Sequence, residues 1–408
     1  MLAGLNPTGG LRTAQLDRQG NLLVAHSALS MGADAAGRTR GSTLTTLFDG
    51  KSLNGDNALL WATAGTGTLA YTANRASMFV APGQYLVRQS RRHMPYYSGK
   101  SQLIEATFFN FAPRAGITKR VGYFSDGAVA PYTANLDGFY LESTEAGVRF
   151  VIVRDGTIKV SLELADWEGY DLVRNYDWDN FTIALFDFLW LGGATVRFGI
   201  HLGGQFISIC SYTHAGNDTD TLILSPNQPV RYEIRSTTGT DTLYAVCSQV
   251  STEGSREESG RPLSLYTPAA GISCNVVGTI YALIGVKLSA SFHDNVAEIT
   301  RMGALMTTSN DQGLLVLVVK PTLSAPLVYA ANSGIQVATG TGQTLTAGTG
   351  RIIEAFPVAS SGNFNTLGQS YLNYLSADVA GVPDEVVLAY VPASNTQTVI
   401  GTLGLKEH

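Results

Sequence analysis

The residues from Thr195 to Leu202 alternate without a break, with Val196, Phe198, Ile200 and Leu202 on one side and Thr195, Arg197, Gly199 and His201 on the other; Gly203-Gly204 follows. A period of two is that of a half-buried strand, and two successive glycines supply the positive φ angles of a two-residue hairpin turn. With the turn there, Leu202 lies opposite Gln205, Ile200 opposite Ile207 and Phe198 opposite Ile209, so the apolar face continues into the returning strand. The other face pairs His201 with Phe206 and Arg197 with Cys210, a mixed surface suited to a rim or a protein contact. A chain organised around this stretch is a β protein.

The same rhythm runs through residues 47–250, where short strand signals are separated by Gly, Asn and Pro. Segments 69–72 and 77–80 read as short strands. Segment 101–111 is longer and carries aromatics on both faces, which places it inside a sheet. In VRFVIVRDGTIKVSLEL, Asp155-Gly156 marks a type I′ turn that sets Val153 against Ile158 and Val151 against Val160. Long helical periodicity is absent, and many short antiparallel strands without helices mean a sandwich or barrel.

Domain organisation follows from shifts in composition. Residues 1–45 are rich in Gly, Ala, Ser and Thr, with one short strand at 22–24, and read as an N-terminal arm. Residues 46–250 form a first β-sandwich domain. A linker at 251–275 opens with the charged, Gly/Ser-rich STEGSREESGRP, and a second β-sandwich domain fills 276–408. Its strands are expected at 280–288, 295–302, 313–319, 327–330, 351–358 and 385–391, with the continuously apolar run 314–319 in the middle of the sheet. Segment 334–350 reads as a polar hairpin or extended loop, and 361–377 as holding one short helix. The expected fold is all-β: two antiparallel β-sandwich, jelly-roll-like domains with an extended N-terminal arm.

With 408 residues, 45% of them hydrophobic, the chain can bury two cores. Only 14% are charged, against about a quarter in an average protein, which leaves the surface to hydroxyls, amides and neighbouring subunits. A net charge of −5 excludes the basic stripe of a nucleic-acid site. The three cysteines, Cys210, Cys247 and Cys274, are odd in number and lack CxxC spacing, so they read as small buried hydrophobes and not as disulfide or zinc residues. No run approaches the ~18 apolar residues of a membrane span. The opening MLAGLNPTGG lacks the basic and apolar order of a signal peptide, and synthesis in a cytoplasm is expected.

One segment departs from the strand rhythm. DWEGYDLVRNYDWD, residues 166–179, places Trp167, Tyr170, Tyr176 and Trp178 among five acids and reads as a long loop crossing one end of the sandwich. Its aromatics suit an interface with another subunit or a platform for a host surface glycan. The acids beside them raise glycoside hydrolysis as a lesser alternative. Cys210 and His214, four residues apart in extended chain, stand about 13 Å apart and make no nucleophile and base pair. Asn217, Asp218 and Asp220 match no complete calcium loop, and the run Arg91-Arg92-His93 reads as a turn or interface patch. No phosphate-binding glycine loop, nucleophile elbow or HExxH occurs. The expectation is no catalytic residue, no metal and no cofactor.

Several phrases together resemble a family of virion structural proteins of tailed bacteriophages, common in marine and cyanobacterial phages. The closest match is WLGGATVRFG, starting at Trp190, which is similar to that family's WLGxGxVRxG stretch. AQLDRQGNLLV at Ala14, RVGYF at Arg120, GFYLE at Gly138 and PVRYEIR at Pro229 occur in matching order, so the resemblance spans roughly residues 10–262. Family members carry a Gly/Pro/Ser-rich loop where 168–179 here is aromatic and acidic. The resemblance implies a non-enzymatic building block located in the virion. It would form a symmetric homo-oligomer, a trimer being one candidate, beside other virion proteins on the head or tail. A host-glycan-binding module of a tail or fibre is the alternative.

Overall fold

The structure is a computed structural model that describes residues 3–5, 11–13, 34–35, 38–52, 55–126, 135–193, 195–256, 260–307, 312–359, 363–368, 370–394 and 397–408. The strand expected at 22–24 lies outside them. In chain order the strands are β1 (Ala3–Leu5), β2 (Leu11–Thr13), β3 (Leu44–Lys51), β4 (Trp61–Gly65), β5 (Thr68–Thr72), β6 (Arg75–Val80), β7 (Tyr85–Ser90) and β8 (Gln102–Phe109). There follow β9 (Ile117–Ser125), β10 (Asp137–Thr144), β11 (Gly147–Arg154), β12 (Thr157–Glu163), β13 (Thr182–Leu189), β14 (Thr195–Leu202), β15 (Gln205–Thr213), β16 (Val230–Ser236) and β17 (Asp241–Glu253). The remaining strands are β18 (Arg261–Tyr266), β19 (Ile272–Cys274), β20 (Tyr281–Leu288), β21 (Ala297–Met306), β22 (Gln312–Val319) and β23 (Ala330–Asn332). Last come β24 (Ile335–Thr339), β25 (Arg351–Ala359), β26 (Asn363–Thr366), β27 (Val386–Pro392) and β28 (Gln397–Glu407). Among the described residues the α-helix is confined to one turn, α1 (Tyr170–Val173).

The protein is all-β, and among the described residues the strands of every sheet pair antiparallel. In the first sandwich a seven-stranded sheet, β12-β11-β10-β9-β16-β7-β4, packs on β15-β14-β13-β8-β17-β6-β5, whose β17 also pairs with β3. Alternation decides what lies between them. Phe139 and Phe150 of the first sheet meet Phe186, Phe188 and Phe198 of the second at ring distances of 5.1–6.4 Å. Each buried ring of this kind stabilises by roughly 1.5–3 kcal/mol. Strand β8 lies between β13 and β17, as aromatics on both of its faces require.

Both hairpins form at the turns the sequence marks. Gly203 and Gly204 have φ of 57° and 85°, and Asp155 and Gly156 have 47° and 72°. Close to the turns the expected registers hold: Leu202 pairs with Gln205, Ile200 with Ile207 and Val153 with Ile158. Further out each hairpin takes a β-bulge, so Phe198 pairs with Cys210 instead of Ile209, Arg197 with Ser211, and Val151 with Ser161 instead of Val160. The bulge lets the consecutive Ile209 and Cys210 both reach the core, which strict alternation forbids.

The second sandwich packs β18-β28-β21-β26, with β19 on β28, against β23-β24-β20-β27-β22-β25. Ile299, Met302, Leu403 and Leu405 meet Leu283, Leu315, Leu317 and Leu388 in its core. The apolar run of β22 is interior to its sheet, between β27 and the edge strand β25. Two expectations change here. The segment read as a linker contributes β18 and β19, half-exposed edge strands whose polar composition hides them. Segment 361–377 holds β26 and a 3₁₀ turn at Tyr371–Asn373 in place of an α-helix.

The two sandwiches are joined along a built seam at the Arg91-Arg92-His93 run. Arg92 is fully buried and donates to the carbonyls of Leu59 (2.5 Å), Tyr374 (2.6 Å) and Leu372 (3.3 Å), with its guanidinium 4.9 Å from the Tyr371 ring. Arg91 pairs with Asp384 (3.1 Å) and donates to the Ala58 carbonyl (2.5 Å). Beside them the rings of His93 and His293 meet edge to face at 5.8 Å, and Val379 packs on Ala62 and Val87. Ahead of β3, Arg40 reaches Asp187 (2.5 Å) and Glu253 (3.2 Å), tying that part of the N-terminal segment to the first sandwich.

Candidate functional site

The loop 166–179 does cross one end of the first sandwich, and its indoles turn inward. Trp167 and Trp178 are 3% and 5% exposed, so neither offers a ring face to a glycan or a subunit. Between β12 and β13 the chain lies against the first sandwich, and both indoles join its core. Trp167 packs edge-on against Phe198 at 5.5 Å and donates from Nε1 to the Leu162 carbonyl (2.9 Å); Trp178 contacts Trp167 and Tyr176. Tyr176 is half-buried with its hydroxyl 3.1 Å from that of Thr182, and Tyr170 on α1 stays exposed.

The acids of the loop are dispersed into local roles. Asp179 pairs with Arg114 (2.7 Å), Glu168 accepts from Ser211 (2.5 Å), Asp171 faces Arg174 (3.7 Å), and Asp177 accepts from the Asp179 amide (3.0 Å) and from Asn180 (2.9 Å). Carboxylates on the outer face of the seven-stranded sheet are likewise held by arginines. Arg120 joins Glu142 (2.8 Å) to Glu233 (3.2 Å), Arg149 takes Glu142 (2.5 Å), and Arg231 takes Glu233 (2.5 Å) and Asp126 (3.2 Å). Lys159 spans Asp218 (3.3 Å) and Asp220 (3.2 Å), which supplies in ion pairs the charge a cation would have brought to that loop. Among the described residues no group of three or more His, Cys, Asp or Glu side chains is placed to hold a metal. Cys210 is in the core, where burial pushes its thiol pKa up, and His214 donates from Nε2 to the Asp220 carbonyl (2.7 Å). The WLGG turn is structural too: Leu191 and Gly192 take φ of 43° and 89°, and a Cβ at Gly193 would come within 2.5 Å of the His214 ring.

What the sequence did not single out is a row of aromatics on the outer face of the eight-stranded sheet. Register pairs Phe109 on β8 with Tyr244 on β17, and their rings stack at 4.3 Å and 9°. Phe181, at the entrance to β13, stacks on Phe109 at 4.7 Å and is 60% exposed. Asn110 makes the row possible. Its φ of 58°, tolerable for Asn, turns the chain so that Phe109 points out while Phe108 and Phe111 point into the core. The Asn110 amide donates to the Asp179 carbonyl (3.1 Å), and below it the buried Lys119 bonds the Asn110 carbonyl (2.5 Å) and Asp241 (2.6 Å). Between β5 and β6, the tight turn Ala73-Asn74, with φ of 50° and 61°, delivers Arg75 to the same face. The Arg75 Cζ lies 4.6 Å from the Tyr244 centroid and 5.1 Å from that of Phe109. Phe79, 40% exposed, lies further along β6. The available signal was the double aromatic alternation of β8, which does not say which of its faces a partner sheet covers.

A second surface lies on the second sandwich. Val277, Leu314, Pro357, Val391 and Pro392 line an open hollow of about 780 Å³; Val277 is 55% exposed and its neighbour Val276 57%.

No family model and no curated protein matches the chain. Solved structures similar to it include a lectin from Bauhinia forficata in complex with GalNAc, at 9% identity and a TM-score of 0.34 over 51% of this chain and 99% of that one. Arcelin-5, a lectin-like defence protein from Phaseolus vulgaris, is similar at 10% identity and a TM-score of 0.34, over 52% and 100%. A carbohydrate esterase from the Shiga toxin-encoding bacteriophage phi24B is similar at 12% and 0.32, over 52% and 100%. Likenesses this distant carry no functional argument, and what the chain does is argued from its own residues.

Proposed function

We propose that the chain is a non-enzymatic structural component of a tailed-bacteriophage virion, assembling with copies of itself and with other virion proteins on the head or tail. The observation that carries this reading is the apolar hollow around Val277 and Leu314, a surface of the kind a neighbouring subunit covers. It agrees with the sequence resemblance, and with charged side chains spent on bracing strands and the seam. Quantitative mass spectrometry of purified particles tests it. A copy number near that of the capsid subunit makes the chain a head decoration, a small multiple of three or six puts it on the tail or fibres, and absence from the particle refutes the reading.

A second reading, a host-glycan-binding module of a tail or fibre, is favoured by the exposed row Phe181, Phe109 and Tyr244 in place of the loop indoles. Aromatic surface held rigidly by a sheet stacks on the apolar faces of sugars at little entropic cost. Replacing Phe181 and Tyr244 by Ser abolishes binding to host cells on this reading and leaves assembly intact.

A further inference from the structure

We infer that the aromatic row is a binding site for a carboxylate-bearing saccharide, with Arg75 as the residue that recognises the acid group. The inference rests on the glycan-binding reading and adds the chemical class of ligand. Its first observation is that Arg75 has no carboxylate partner among the described residues. Its Nε is buried without a hydrogen-bond partner, and its guanidinium lies beside the Phe109 and Tyr244 rings. Elsewhere in this sandwich Arg114, Arg120, Arg149, Arg197 and Arg231 are all paired with acids. Asp241, which precedes Tyr244 on β17, is taken by Lys119 and Asn110. Glu105, on the same face of β8, is four residues from Phe109, about 13 Å at the rise of a strand.

The second observation is the ring geometry. Phe109 covers one face of Tyr244. A cation seated on the other face would lie well beyond the 5.1 Å that separates Arg75 from Phe109, so Arg75 sits beside the stack and does not cover that face. In register next to Tyr244 is Ser77 on β6, and next to Ser77 is Ala70 on β5. These small side chains leave a shallow trough between Arg75 and Phe79, edged by the exposed hydroxyls of Thr68 and Thr72. A pyranose in this trough stacks on Tyr244, meets the threonine hydroxyls and reaches the guanidinium with a ring carboxylate. The trough thus offers an aromatic face, hydroxyls and one unpaired cation, which together match an acidic sugar better than a neutral one.

The test uses the full chain against immobilised saccharides bearing uronate or sialate groups, each printed beside its methyl ester, with poly-glutamate as a peptide control. The expected result is binding of at least one acidic saccharide and at least a tenfold weaker signal for its ester. Arg75→Met, with an unchanged circular dichroism spectrum, erases the preference for the acid, and Tyr244→Ser removes binding to both forms. Equal binding of acid and ester, or an unaltered Arg75→Met, overturns the inference and leaves the glycan-binding reading standing. Binding of no saccharide overturns both. Poly-glutamate bound as tightly as the saccharide, with the same sensitivity to both substitutions, makes the site one for an acidic peptide and also overturns the inference.

Discussion

Arg92 is the side chain on which coupling of the two sandwiches most depends, and replacing it by Met is the sharpest test of the seam. Met preserves much of the length and apolar stem but no donor. Three carbonyls, of Leu59, Leu372 and Tyr374, lose their partner at about 1 kcal/mol or more each, and loss of the stacking on Tyr371 adds about 1 kcal/mol. Against this, Met is relieved of the burial that opposes the charged guanidinium and lowers its pKa, a return on the order of 1–2 kcal/mol. The net expectation is a loss of about 3 kcal/mol, a large fraction of the ~5–15 kcal/mol of a typical domain. All four tryptophans, Trp61, Trp167, Trp178 and Trp190, lie in the first sandwich, so their fluorescence follows that unit while far-ultraviolet circular dichroism follows both. In urea the two probes coincide for the parent chain and separate for Arg92→Met; Arg92→Lys falls between. A loss below about 1 kcal/mol with coincident curves would refute the argument that Arg92 couples the units.

Three further outcomes are expected. Asp241→Asn strands the buried Lys119 ammonium and destabilises the first sandwich by about 3–5 kcal/mol, read by urea denaturation; a change under 1 kcal/mol means Lys119 is neutral in the fold. Leu314→Glu places a charge in the apolar hollow and lowers the oligomeric state seen by light scattering without changing the melting temperature; an unchanged mass removes this face from the assembly. The seam histidines make stability depend on acid. Burial holds His93 below the ordinary histidine pKa, with His293, Asp294 and Arg231 facing it, and burial also lowers that of His293. The unfolded chain therefore takes up protons first, so the His93 contribution is fully present above pH ~6.5 and is lost by about 1.4 kcal/mol per pH unit as pH falls toward about 3, with His293 adding a loss of the same sign. Asp126 and Asp137, pushed up to about 6 by burial, act in the opposite direction because the folded form takes up their protons first. Comparing the parent with His93→Phe isolates the histidine contribution, and identical pH profiles would disprove it.

What depends on neighbours along the chain was legible in the order of residues alone. Alternation marked the strands, and Asp155-Gly156 and Gly203-Gly204 marked two turns, because φ preference and a period of two are local properties. Registers next to those turns were legible for the same reason. The rest came from contacts between strands distant in the chain. Bulges in β12 and β15 displaced the far registers, since an extra residue is accepted where it improves core packing several pairs away. Strand β18 was hidden because an edge strand needs little apolar surface. Trp167 and Trp178 carried every sequence mark of an exposed aromatic loop, yet packing against Phe198 and the rest of the core drew them inside. Phe109, Phe181 and Tyr244 are far apart along the chain and meet because β13, β8 and β17 are neighbours in one sheet. Which face of that sheet stays uncovered is set by where the second sheet packs, and no local pattern encodes it.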